Sequence, residues 1–147
     1  MTGDVTGLML RSPIVLAGSE PLDEVRRVFD SSHVHMVLLT RSGRVGEALL
    51  GTLVRGDLPP AADRPAGTAL THARLEGRTV GAATPAEDAR RAMNAAGDRR
   101  LAVVDSDGRL LGLLCLKRSG DGFCTDAGVA SRRAERTGAV AQPVSDA

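Results

Sequence analysis

Aromatics are nearly missing from this chain: its 147 residues hold two Phe and no Trp or Tyr. Single-stranded nucleic acids are gripped by stacking bases on aromatic rings, and Phe29 and Phe123 alone make no such platform. An excess of charge of one sign is missing as well. Nineteen basic residues stand against 18 acidic ones, a net charge of +1, whereas nucleic-acid binders carry a basic surplus on one face. No nucleic-acid partner is expected.

Long apolar runs are also lacking. None approaches the roughly 20 residues that a membrane-spanning helix needs, and no basic segment followed by an apolar stretch stands near Met1. The expectation is a cytoplasmic protein with no membrane partner and no secretory signal. Cysteine is scarce: Cys115 and Cys124 cannot build a disulfide framework, and they read as reduced thiols. Lysine is scarcer still, with Lys117 alone among the basic residues and Arg everywhere else. Together with the many Ala and Gly, that skew reads as a GC-rich bacterial coding sequence.

The familiar signatures of catalysis are absent. There is no Gly-rich phosphate loop before a Lys, no Gly-x-Ser-x-Gly, no Cys-x-x-Cys and no His-Glu-x-x-His. No catalytic residue is assigned, and the chain does not read as an enzyme. His33 and His35 share one strand face, but no Cys, Asp or Glu stands at ligand spacing beside them, so no metal site is assigned. Asp105-Ser106-Asp107-Gly108 lacks the closing Glu of a calcium loop and reads as a hairpin turn.

What the chain has is a repeat. Glu20 to Asp30 lies against Thr84 to Asn94 at an offset of 64, and Met36 to Arg44 lies against Leu101 to Arg109 at 65. Leu49-Leu50-Gly51-Thr52-Leu53 matches Leu110-Leu111-Gly112-Leu113-Leu114 at 61, once Val45 to Ala48 are taken as four extra residues in the first copy. Three blocks in one order mean a tandem of two related halves.

Each half reads as strand, helix, strand, strand. Leu22, Val25, Val28 and Phe29 make the apolar stripe of the first helix, and Ala86, Ala89, Ala92, Met93 and Ala96 that of its twin. Each helix is expected to carry Pro at its first position, and Thr84 with Glu87 reads as a capping box. Met36 to Leu39, Leu101 to Val104 and Leu110 to Leu116 are unbroken apolar runs, the mark of strands covered on both faces. Ser42-Gly43 and Asp107-Gly108 supply their turns. Ile14-Val15-Leu16 and Thr79-Val80 precede the helices, which implies right-handed parallel crossovers. A half of roughly 60 residues buries too little surface to stand alone, so the two are expected to bury their sheets against each other. The fold class is therefore α/β, of the α+β kind with mixed sheets: two βαββ(α) repeats packed sheet to sheet about a pseudo-two-fold axis. The first repeat is placed at 5–58, a linker with a short helix over Ala66 to Leu75 at 59–74, and the second repeat at 75–118. Residues 119–147 form a loop, a short helix over Ala127 to Arg136 and a frayed tail.

These motifs resemble a tandem of CBS (cystathionine beta-synthase) domains, the pair called a Bateman module. The resemblance covers Val5 to Arg118. It rests on Ala89 and Met93, on Leu101-Ala102-Val103-Val104-Asp105, on Leu111-Gly112-Leu113-Leu114, and on Gly51-Thr52-Leu53-Val54-Arg55-Gly56-Asp57. It implies a regulatory module without resident cofactor that binds an adenosine-containing ligand (AMP, ADP, ATP, NAD or S-adenosylmethionine) in the cleft between the repeats. It also implies a homodimer formed through the two helices, and a separate regulated protein as partner. The residues carried over to the first site are Pro13, Ile14, Val34, His35, Val54, Arg55 and Asp57. Asp57 would take the ribose hydroxyls, and Val54 stands where a Ser or Thr is usual. A second site would involve Thr79, Arg100, Cys115 and Arg118, with Cys115 in place of the Thr and Arg118 in place of the Asp. Arg has only donors and cannot replace a carboxylate there. The alternative is a structural or dimerisation module whose ligand sites have decayed.

Overall fold

The computed structural model describes residues 3–32, 34–60 and 67–126. Strand β1 (Val15–Ala17) leads into helix α1 (Leu22–Ser32), then strands β2 (Val37–Thr40) and β3 (Gly51–Leu53). A four-residue helix α2 (Ala69–His72) follows. The second half repeats the order as β4 (Thr79–Gly81), α3 (Ala86–Ala96), β5 (Arg100–Val104) and β6 (Leu110–Cys115). Each half is a three-stranded sheet, β1-β2-β3 or β4-β5-β6, with its first pair parallel and its second antiparallel. The crossover helix between the parallel strands covers one face of each sheet.

Met36 to Leu39, Leu101 to Val103 and Leu113 to Leu116 are buried, as unbroken apolar runs require. On one face of the first sheet Val25 and Phe29 pack with Val37, Leu39 and Leu53. On one face of the second, Ala86, Ala89 and Met93 pack with Leu101, Val103 and Leu114. The opposite faces meet: Met36, Leu38 and Leu49 share a cluster with Ala102, Leu110, Leu113 and Cys115. The four extra residues of the first hairpin have a place here. Ala48 bridges Arg109, and Leu110 N–H donates to Glu47 C=O at 2.9 Å, so the insertion joins the two hairpins.

The segment ahead of each half's first strand packs on the other half. Leu10 pairs with Leu113 in β6, and Arg74, its counterpart 64 residues later, pairs with Thr52 in β3. Val5 is buried among Ala86, Met93 and Phe123, and its counterpart Ala69 among Val25, Phe29 and Leu53. Even the hydrogen bonds match: Val5 N–H to Thr84 C=O at 3.0 Å, and Ala69 N–H to Glu20 C=O at 2.8 Å. Gly51 and Gly112 stand at equivalent places where these exchanged segments cross. A Cβ on Gly51 would come within 2.7 Å of the Ala73 Cβ, and one on Gly112 within 2.6 Å of the Leu10 carbonyl oxygen.

Several sequence expectations are corrected. The strands repeat at 64, not 65: Leu38 pairs with Val15 as Ala102 pairs with Thr79. The extra residue enters in the turn between Val104 and Gly108, and both turn glycines, Gly43 and Gly108, take a φ of +81° that L side chains avoid. Pro21 and Pro85 precede the helices: their carbonyls accept the first helical hydrogen bonds, from Val25 and Ala89, which is an N-cap role. With Pro85 as the cap, Thr84 is displaced and forms no capping box, and Glu87 turns instead to Arg90, whose Nε donates to it at 2.9 Å. Ala92 and Ala96 are exposed. The linker helix shrinks from the expected Ala66 to Leu75 to α2 alone, since Gly67 takes a φ of +131°. The helix expected over Ala127 to Arg136, the tail after it, and His33 lie outside the described residues.

Candidate functional site

Where the first half ends, β3 gives way to one 3-10 turn, Arg55–Asp57. The turn folds the Asp57 side chain back, so that its Oδ2 accepts from the Val54 N–H at 2.9 Å. The carboxylate is only 5% exposed. Two arginines from the exchanged segment meet it there. Arg78 donates through both terminal nitrogens, at 2.9 and 3.2 Å, in the forked geometry that suits a carboxylate. Arg74 Nε lies 3.5 Å from Oδ1. Thr52, fully buried, donates its hydroxyl to the Arg74 carbonyl at 2.8 Å and accepts from Arg78 at 3.2 Å.

Burial alone would raise the Asp57 pKa. The hydrogen bonds from Arg78 and the Val54 N–H, with the charges of Arg78 and Arg74, outweigh it and hold the carboxyl below its ordinary value of 3.8. At neutral pH this is a fixed anion between two guanidinium groups. It offers acceptors, the arginines offer donors, and the pair joins the end of one half to the start of the other.

The other residues expected in the first site come from the lead-ins to β1 and β2 and from the end of β3. Ile14 and Val34 pack at the edge of the first half's apolar cluster, and Ile14 C=O accepts from Leu38 N–H at 3.1 Å. Pro13 precedes them, half-buried, and His35 is exposed. Val54 packs against the cluster between the sheets. Arg55 turns away from Asp57: it pairs with Asp30 at 2.9 Å and sits over the Phe29 ring at 5.5 Å.

In the second half, Cys115 is buried and opposite Arg100 in the β5–β6 register. Arg118 is exposed. With the corrected offset, the residue matching Ile14 is Arg78, whose carbonyl accepts from Ala102 N–H at 2.9 Å as the Ile14 carbonyl accepts from Leu38. Thr79 matches Val15 instead. The sequence reading therefore missed Arg78, Arg74 and Thr52. Their signal was present: a charged residue at a strand start whose counterpart is Ile. Among the described residues no group of three His, Cys, Asp or Glu side chains is placed to hold a metal, and no helix is long and apolar enough to cross a membrane.

Residues 78–118 match the family model of the CBS domain. No curated protein matches the chain. Solved structures do. CBSX2 in complex with AMP is 22% identical, with a TM-score of 0.64 over 80% of this chain and 91% of that one. The CBS domain protein PAE2072 from Pyrobaculum aerophilum, complexed with AMP, is 23% identical, with a TM-score of 0.62 over 80% and 94%. The CBS domain pair of MJ0100, in complex with 5'-methylthioadenosine and S-adenosyl-L-methionine, is 14% identical, with a TM-score of 0.61 over 90% and 96%. Residues 78–118 are thus similar to a CBS domain, and the described residues have the fold of a tandem CBS pair.

Proposed function

We propose that this chain is a regulatory CBS-pair module without catalytic activity, which binds an adenosine-containing ligand between its halves and changes how it docks on a separate protein. The observation that carries the reading is the Asp57 carboxylate, buried and held ionised by Arg78 and Arg74. The fold of pairs solved with AMP supports it. A carboxylate accepts from both hydroxyls of a ribose, and a guanidinium fork matches a phosphate. Asp57 already accepts from Val54 and Arg78 and is ion-paired with Arg74. Ligand binding is therefore an exchange: the ribose takes over carboxylate oxygens as the arginines turn to the phosphate. Val34, His35 and Val54 would line the adenosine side, while Pro13 and Ile14, by the match of Ile14 to Arg78, belong to the other crossing. The second half, with Arg118 for Asp, would bind weakly or not at all. The module is expected to work in the cytoplasm of a bacterium and to pair with a second copy through α1 and α3, where Ala92 and Ala96 are exposed. Light scattering giving only the 15.3 kDa monomer at high micromolar concentration would remove that pairing.

The rival reading is a structural or dimerisation module, and the occupied oxygens of Asp57 favour it. A thermal-shift screen with AMP, ADP, ATP, NAD and S-adenosylmethionine separates the two. At about 100 times Kd a ligand adds about 2.7 kcal/mol, which raises Tm by roughly 5–10 °C for a chain of this size. Silence from all five at millimolar concentration leaves the structural reading. If one binds, calorimetry on Asp57→Ala is expected to show affinity about ten- to a hundredfold weaker, and unchanged affinity in a folded variant ends the ribose assignment.

A further inference from the structure

We infer that Cys115 and Cys124 form a reversible dithiol–disulfide site, a redox clasp that locks the chain segment following β6 onto that strand. Both are free cysteines whose sulfurs lie 2.9 Å apart. The backbone is already arranged for a bond. Leu116 and Phe123 pair as antiparallel neighbours, and the Cys124 N–H donates to the Cys115 carbonyl at 2.7 Å. Paired antiparallel residues hold their Cα atoms about 4.5–5.5 Å apart, within the span of about 4.4–6.8 Å that disulfides bridge. Closing the bond therefore needs rotation of two side chains and no movement of strands.

The returning segment is anchored on both sides of the pair. Phe123 is buried in the second half's apolar cluster, and the Gly120 carbonyl accepts from Asn94 at 2.8 Å and from Arg90 at 3.1 Å. Asp126 accepts from the Arg11 N–H at 3.0 Å. Such anchors hold the two sulfurs facing each other.

The two thiols are unlike, and that sets the order of events. Cys115 is 5% exposed, and burial, then the neighbouring sulfur, push its pKa up. Cys124 is half-buried and reachable. The thiolate of an accessible cysteine is the attacking species. Cys124 thus loses its proton to solvent and attacks one sulfur of a low-molecular-weight disulfide, breaking that S–S bond and releasing one small thiolate. The Cys115 sulfur, its proton passing to solvent, then attacks Cys124 and expels the second. Two protein thiols are oxidised, one small disulfide is reduced to two thiols, and both released thiolates are reprotonated.

The test uses the full chain and oxidised glutathione as the probe, with free thiols blocked by alkylation before intact-mass measurement. The expected product is a monomer lighter by two hydrogen atoms, resistant to alkylation, restored by dithiothreitol, and with a Tm raised by about 5–10 °C, as expected for closing a short loop. Cys115→Ser should stop at a glutathione adduct on Cys124, and Cys124→Ser should react far more slowly. A wild-type chain that stays reduced, ends as a stable glutathione adduct, or joins a second chain through Cys124 overturns the inference. The outcome is independent of any nucleotide and so leaves the ligand reading untouched.

Discussion

At the end of the first half, buried Thr52 and Asp57 meet Arg78 and the exposed Arg74 in a polar cluster; at the matching places of the other crossing stand Leu113, Arg118, Leu10 and Ile14. The backbones there are alike, with the same exchanged pairing, Arg74 to Thr52 and Leu10 to Leu113. The second half thus shows that this crossing closes with leucines. Burying an ion pair costs desolvation that its attraction only partly offsets, and apolar side chains of similar size do as well or better. The fold does not require the charges on the first side. Their presence is the physical ground for placing a ligand there and not at the other end.

The strongest way to break the comparison is at the interface between the sheets, where Leu38 and its counterpart Ala102 occupy one cluster. Leu38→Ala is expected to cost roughly 3–4 kcal/mol in urea unfolding, and Ala102→Leu about 1–3 kcal/mol from overpacking. The double variant should be more stable than the sum of the two. Simple additivity would mean that the large and small residues do not compensate.

Next is the ion pair. Asp57→Asn leaves two arginines facing an uncharged group and should cost about 3 kcal/mol, whereas Arg118→Ala should cost under 0.5 kcal/mol as an exposed substitution. The pH profile sharpens this. Asp57 titrates below its ordinary 3.8 in the folded chain, so its contribution is whole above about pH 4 and is lost as pH falls through the lower folded value. Acid unfolding of Asp57→Asn should lack that component; identical profiles would show that the pair contributes nothing.

The exchanged crossings can be set against each other as well. Gly112→Ala drives a methyl at a backbone oxygen, and Gly51→Ala drives one at a methyl. The first is expected to lose about 2–3 kcal/mol and the second about 1–2 kcal/mol, since a carbonyl in a strand pair has less room to yield. Equal losses would show that both segments shift alike. The smallest effect is expected at Arg55, whose exposed pair with Asp30 and contact with Phe29 together contribute under 1 kcal/mol. Arg55→Ala should leave nucleotide affinity unchanged; a loss would bring Arg55 into the site.

Most of the strand and helix order was legible because unbroken apolar runs and a 3.6-residue stripe each admit one reading. The repeat supplied the pairing. What the sequence hid was long-range. Nothing local tells that Val5 buries itself against Ala86, or that Arg74 pairs with Thr52, because those contacts are set by the crossing of two distant segments. The one-residue register error came from aligning the strands on their turn glycines, when the second turn, between Val104 and Gly108, is one residue longer than the first. Asp57 was found through its motif, whereas Arg78 was missed because the error shifted its counterpart from Ile14 to Pro13. The expectation of a reducing cell sets a Cys115–Cys124 pair aside, and the return pairing of Leu116 with Phe123 that brings the two together has no periodic signal.

The exchange of leading segments also has a consequence for time. A chain leaves the ribosome from its N-terminal end, and the first half emerges with its own sheet but without the segment around Ala69 that fills its core. Residues 3–10 emerge first of all the described ones, and their partner strand, with Leu113, is among the last. Contacts of such sequence separation slow folding, since the loop must close before they can reward it. Neither repeat can finish alone, and the earliest-made residues wait, apolar Val5 and Leu10 among them, until nearly the whole described chain exists to receive them.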